Sequence, residues 1–282
     1  MPVRLAHACA LALAVACGGG ERVPTATEAP PSDSAAVAAA LRIVGDPAST
    51  AGATWTYRAT VDGVVYDLEG ILRKPAGAGP FPAVVVSHGA GGSAANYSRN
   101  VGGEMVRWGG GLVVIGTNYT HAGGAALGAP GAASEVGASR ANVLRAQRLL
   151  AILRALGYVD MRRVAAHGHS MGAFVTAALV GASPDAFRVA SHTAGGVRPP
   201  TGPGAAPVDS QVLAIRAPYQ MHHGERDAVV ALALDQRLDA VLAARGVTHE
   251  LIVHAGADHD DVALSPVVLE QVRRWYAAHG MF

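Results

Sequence analysis

Gly168-His169-Ser170-Met171-Gly172 separates two kinds of sequence. Before it, Arg163-Val164-Ala165-Ala166-His167 is short and mostly apolar, the pattern of an interior parallel strand. After it, Ala173-Phe174-Val175-Thr176-Ala177-Ala178-Leu179-Val180 reads as a helix packing back on the sheet. So tight a strand-to-helix turn strains its central residue and leaves no room for side chains at the flanking positions. Glycine two before and two after Ser170 meets that need, and the strain lifts the hydroxyl clear of the sheet. The stretch predicts an α/β fold: a mostly parallel central sheet with helices on both faces and little or no lid.

A serine hydroxyl attacks only when a base removes its proton, and an imidazole base needs a carboxylate to hold its tautomer. In this architecture the order along the chain is Ser, then Asp or Glu, then His, each on a loop after a strand. Ala217 to Arg226 reads as a strand ending in a glycine turn that presents Asp227. His249-Glu250-Leu251-Ile252-Val253-His254 is another strand, and Ala255-Gly256-Ala257-Asp258-His259 places His259 on the loop before the last helix. Ser170 is therefore the expected nucleophile, His259 the general base and Asp227 the orienting acid. Glu225 competes with Asp227 from inside the turn. His222, His223 and His254 compete with His259 but lie on strands, as packing or hydrogen-bonded histidines, while Asp258, Asp260 and Asp261 read as a solvated loop.

Phe81-Pro82-Ala83-Val84-Val85-Val86-Ser87 is a buried strand running into His88-Gly89-Ala90-Gly91-Gly92. Acyl transfer builds negative charge on a carbonyl oxygen, which pre-aimed backbone N–H groups stabilise. The expected donors are Met171, directly after the nucleophile, and Ala90 in the glycine-rich turn, with Gly91 in reserve.

With these residues in place, residues 54 to 282 resemble the α/β-hydrolase superfamily, and within it the dienelactone-hydrolase-like and bacterial serine esterase members. The resemblance rests on His88-Gly89, Gly168-His169-Ser170-Met171-Gly172, Asp227 and His259. It implies hydrolysis of carboxylic esters without a cofactor. The namesake dienelactone hydrolases carry cysteine where this chain has Ser170, which sets their particular substrate apart. The Gly-x-Ser-Met-Gly form is also similar to bacterial cutinase-like and polyester hydrolases.

Composition suits one such domain: 282 residues, 50% hydrophobic, and a net charge of +1 with charges scattered, which gives no nucleic-acid surface. None of the 12 histidines falls in an H-E-x-x-H pattern, so no metal is expected. Arg4 followed by the apolar Leu5 to Val15 reads as a signal peptide over residues 1–16. Leu13-Ala14-Val15-Ala16-Cys17 resembles a bacterial lipobox. Cys17 is then the lipidation site and, because Gly18 follows it, the expected location is the outer membrane, reached by the lipid anchor only. An ordinary cleaved leader would instead leave a periplasmic or secreted enzyme. Residues 17–50 read as a flexible tether and 51–282 as the hydrolase domain, which contains no cysteine.

Trp55 to Val61, an Asp62-Gly63 turn and Val64 to Leu72 form a predicted hairpin. Helices are expected over Tyr97 to Trp108 and along the stripe Val143, Leu144, Leu149, Leu150, Leu153 and Leu156, with a strand at Leu112 to Ile115. Loops at 121–133 and 199–204 leave the strand ends that carry the site. Neither is long enough for a helical lid, so a shallow pocket is expected, with Tyr119 and Met171 either on its wall or as ordinary packing residues. The substrate class implied is a small-molecule or polymeric ester. A peptidase or amidase of the same fold, and a non-catalytic binding protein on this scaffold, are the alternatives.

Overall fold

The computed structural model describes residues 34–61, 63–121, 136–201 and 204–282. Nine strands form one sheet: β1 (Arg42–Val44), β2 (Ala53–Val61), β3 (Val64–Arg73), β4 (Phe81–Ser87), β5 (Val113–Thr117), β6 (Val159–His169), β7 (Val189–Thr193), β8 (Tyr219–Gly224) and β9 (His249–His254). Their order across the sheet is β1-β2-β3-β5-β4-β6-β7-β8-β9. From β5 to β9 every pairing is parallel, and β1 to β3 add an antiparallel flank. The helices are α1 (Ser34–Ala40), α2 (Ala94–Met105), α3 (Arg140–Ala155), α4 (Met171–Ala182), α5 (Asp209–Val212), α6 (Leu232–Ala244) and α7 (Pro266–Ala278), with a 3₁₀ turn at Trp108–Gly110.

Burial follows each strand's place. On β2 burial alternates residue by residue, because one face meets the core and the other meets water. On β4 every residue from Pro82 to Ser87 is buried, since helices cover both faces. Val85 joins a core with Leu149, Leu153, Leu179 and Leu238, on the side of α3, α4 and α6. Its neighbours Val84 and Val86 point the other way, to Val101, Met105, Val272 and Tyr276 of α2 and α7. Helix α4 is buried at every position from Gly172 to Gly181, as its uniformly apolar sequence requires.

The chain reverses its winding at β4, whose neighbours are β5 on one side and β6 on the other. That puts the turns after β4 and β6 side by side, where ligands bind in such sheets.

One boundary differs from the sequence reading. Residues 34–44, assigned above to the tether, form α1 and the edge strand β1. Val37 is buried in the α3-side core, and Arg42 to Val44 pair with Thr54 to Thr56. Residues 1–33, Asp62, 122–135 and 202–203 lie outside the described residues, and with them the leader, the lipobox, part of the hairpin turn, most of the 121–133 loop and two residues of the 199–204 loop.

Candidate active site

Ser170 occupies the turn between β6 and α4 with φ 56° and ψ −122°. Among the described residues only Ser170 and Ala194 are non-glycine residues with positive φ. The strain is held from several sides. The Ser170 N–H donates to the Thr193 carbonyl at 3.0 Å, and the Ser170 carbonyl accepts the Ala173 N–H at 2.9 Å. A Cβ on Gly172 would fall 2.0 Å from the Ser87 carbonyl oxygen, and one on Gly168 2.3 Å from that of Gly172. Both flanking glycines are therefore demanded by contact between backbones. As the first residue of α4, Met171 directs an N–H out of the helix with no intrahelical acceptor.

Asp227 follows β8, its N–H donating to the Gly224 carbonyl at 3.2 Å. Its Oδ1 accepts the N–H groups of Val229 and Val230, each at 2.8 Å, and its Oδ2 accepts the His259 Nδ1–H at 2.7 Å. Burial alone would raise this carboxyl's pKa. The hydrogen bonds from His259, Val230 and Val229 outweigh it and hold the group below its ordinary value. Glu225 points elsewhere: its Oε2 accepts the Gly256 N–H at 2.8 Å, tying the β8 turn to the β9 turn. With Nδ1 committed to Asp227, His259 has Nε2 left for other partners, and it lines the same cleft as Ser170.

The turn after β4 supplies the facing wall. His88 Nδ1–H donates to the Gly89 carbonyl at 2.8 Å, so Nε2 is bare and accepts the Tyr119 N–H at 3.2 Å. Burial pushes this imidazole down to about 4, which keeps it neutral and fixed. The Gly91 N–H donates to the His121 carbonyl at 2.9 Å and is spent. Ala90 lines the cleft and its N–H meets no acceptor among the described residues.

A family model for the dienelactone hydrolase family matches residues 68–264. The chain belongs to the dienelactone hydrolase family. Among curated proteins none matches. Solved structures with the same fold include an S-formylglutathione hydrolase from Agrobacterium tumefaciens, 17% identical over 84% of this chain and 99% of that one, with a TM-score of 0.60. Esterase 2 of Thermogutta terrifontis, phosphonylated by cyclosarin in that structure, is 16% identical over 80% of this chain and 94% of its own, with a TM-score of 0.56. Dipeptidyl peptidase 4 of Porphyromonas gingivalis is 12% identical with a TM-score of 0.59; it matches 80% of this chain, which spans only 35% of its length. The relatives' shared chemistry is hydrolysis, and this chain is a hydrolase-family member on the α/β fold.

In this dienelactone hydrolase family member the cleft encloses about 360 Å³. Tyr97, Val229, Ala263 and Leu264 give it apolar wall, Asn96 and Asn100 polar wall, and no Lys or Arg lines it among the described residues. Val229 and Leu264 are exposed at its rim. Tyr119 and Met171 take the packing alternative. Tyr119 is buried, its hydroxyl 2.9 Å from Ser87 Oγ, because the polar end of a buried tyrosine seeks a partner. Met171 packs beside Phe174 and Ala178. A larger cavity of about 910 Å³ opens between β2, β3 and α3 with Tyr66 and Arg145 on its wall, away from Ser170.

Behind Asp227 lies a charge cluster that the sequence reading missed. His223, Asp235, His192 and Tyr219 are all fully buried. Asp235 accepts from His223 Nδ1 at 2.7 Å on one oxygen and from His192 Nε2 at 2.7 Å on the other. The other nitrogen of His223 faces the Val230 carbonyl at 2.9 Å and Asp227 Oδ2 at 3.4 Å. Both His223 nitrogens thus meet only acceptors, so both carry protons and the ring is a cation between two carboxylates. Burial works against that charge, but the hydrogen bond and attraction of Asp235 prevail and raise its pKa. The visible signal was the pair His222-His223; its partner, 12 residues on, was not legible.

Proposed function

We propose that this protein hydrolyses carboxylic esters through an acyl-enzyme, with Ser170 as nucleophile, His259 as base and Asp227 as the carboxylate that orients it. The observation that carries the reading is the strained Ser170 beside a histidine whose Nδ1–H is fixed 2.7 Å from a carboxylate. His259 Nε2 takes the hydroxyl proton as Ser170 Oγ attacks the ester carbonyl. The developing oxyanion is met by the N–H groups of Met171 and Ala90. His259 then returns the proton to the leaving alcohol. Water repeats the sequence on the acyl-serine, releasing the acid and restoring Oγ–H.

A cleft of this size, partly apolar and without a lining cation among the described residues, favours a short, uncharged acyl group. In a p-nitrophenyl ester series, kcat/KM is expected to peak at two to four acyl carbons and to exceed that for the matching p-nitroanilides by at least a hundredfold. Anilide turnover equal to ester turnover would favour the peptidase reading instead. No turnover of either, with no labelling of Ser170 by a fluorophosphonate, would favour a binding protein.

The proposal extends to location. The lipobox-like sequence ending at Cys17 supports a mature chain held to the outer membrane by acyl groups on that cysteine, since several chains are needed for stable anchoring. Mass spectrometry of the mature N-terminus should find an acylated Cys17, and Cys17→Ser should release the enzyme from the membrane fraction. An unmodified N-terminus would leave a periplasmic or secreted esterase.

A further inference from the structure

Three ligand-type side chains converge beside Ser170 although no sequence motif links them. Ligand atoms of His169, His259 and Asp260 lie within 4.8 Å of one another. His169 Nδ1 is 2.9 Å from Thr193 Oγ1, and His259 Nδ1 is held by Asp227, which leaves the Nε2 atom of each ring free. The rings stand 4.8 Å apart, centroid to centroid.

We propose that His169 Nε2, His259 Nε2 and the Asp260 carboxylate form a zinc-binding site whose occupation switches hydrolysis off. The proposal rests on the reading of His259 as the base. Metal-bound histidines almost always have their second nitrogen engaged by a carboxylate, carbonyl or similar partner. Asp227 and Thr193 already play those parts, so both imidazoles are oriented before any ion arrives. Two nitrogens and one oxygen suit Zn²⁺ and suit Mg²⁺ poorly.

Ligands about 2.0–2.1 Å from a tetrahedral zinc stand about 3.3 Å apart, closer than the present spread. Asp260 is exposed, so its side chain has room to rotate toward the two rings, and small ring movements complete the approach. Water fills the fourth position. Coordination forms bonds from the two Nε2 lone pairs and the carboxylate in place of three of the ion's waters. His259 then has no lone pair left to receive the Ser170 proton, and hydrolysis stops until the ion departs.

The test is a titration of ester hydrolysis with ZnCl₂, with MgCl₂ in parallel, on the full chain and on His169→Asn and Asp260→Asn. Each variant is normalised to its own metal-free rate. Zinc should inhibit fully and reversibly, with EDTA restoring the starting rate, while magnesium leaves it unchanged. The zinc midpoint should rise at least tenfold in His169→Asn and at least threefold in Asp260→Asn. Equilibrium dialysis of Ser170→Ala, which keeps all three ligands, should show one tightly bound zinc that His169→Asn in the same background loses. Inhibition midpoints unmoved by either substitution would overturn the site, as would active enzyme insensitive to zinc. Zinc bound by a chain with no hydrolysis at all would instead reject the ester reading and retain the metal site.

Discussion

Ser170→Ala is expected to fold normally and to lose at least four orders of magnitude in kcat. The substitution keeps the Cβ that the elbow already accommodates at φ 56° and deletes one oxygen, so the melting temperature should move by no more than a few degrees. In the proposed mechanism the rate loss is large because this hydroxyl sits on the strained turn and lines the same cleft as His259. Nucleophile and base act as a unit in that mechanism, so adding His259→Ala should cost little more than Ser170→Ala alone. Residual turnover comes from the oxyanion donors and substrate binding. Retention of more than a tenth of the wild-type rate would remove Ser170 from the mechanism.

Acid should unfold this protein early. Burial pushes His88 and His169 down to about 4 and His167 to about 3, and it lowers His121, His222 and His254 as well. In the unfolded chain each takes a proton near pH 6.5. Native stability from these groups is therefore complete above about pH 6.5 and is lost as pH falls toward the folded values. Each pH unit in that window costs about 1.4 kcal/mol per histidine. His88, His167 and His169 alone then remove about 6 kcal/mol between pH 6.5 and 5, comparable to the whole stability of a typical domain. His223 opposes them, since its raised pKa adds stability below about 6.5 and loses it as pH rises through its folded value. One such group does not offset six. Calorimetry should show the melting temperature falling by about 10 °C or more from pH 7 to pH 5. A curve flat within about 3 °C over that range would mean that the histidines titrate in the native state without cost.

How much of this was legible depended on whether residues announce themselves locally. The elbow, the apolar run of β4 and the hairpin of β2 and β3 each follow from short-range pattern, and the sheet forms on them. Strand β1 joins by backbone pairing alone; Arg42, Ile43 and Val44 are all exposed, so no apolar alternation marked it. Helix α1 buries only Val37 of its seven residues. In the site, the places of Ser170, Asp227 and His259 after strand ends were legible because the strands fix their order, and the structure pairs the last two directly; their catalytic roles belong to the proposal. Asp235 was not readable. An aspartate in the first turn of a helix looks like a solvated, dipole-complementing residue, and its burial comes from His192 and His223, 43 and 12 residues away. The grouping of His169, His259 and Asp260 was hidden for the same reason, because His169 ends β6 while the other two sit on the loop between β9 and α7.

The alternation of β8 places the cation behind Asp227 on one side of the sheet and the cleft on the other. His223 shares its face with Tyr219 and Met221, which pack in the core on the α6 side. His169 has the register of Ala165, which faces α2 and α7. Asp227 is the carboxylate that both sides touch, and no residue of α6 lines the cleft. The molecule thus keeps two controls apart. Under the proposed mechanism, changes along α6 alter the field felt by Asp227, and through it the basicity of His259, while leaving the walls of the cleft intact. Changes at Val229 or Leu264 reshape what enters while leaving that field alone. A lineage carrying this arrangement is free to exchange one substrate for another without rebuilding its proton chemistry, and to shift its working pH without losing its substrate.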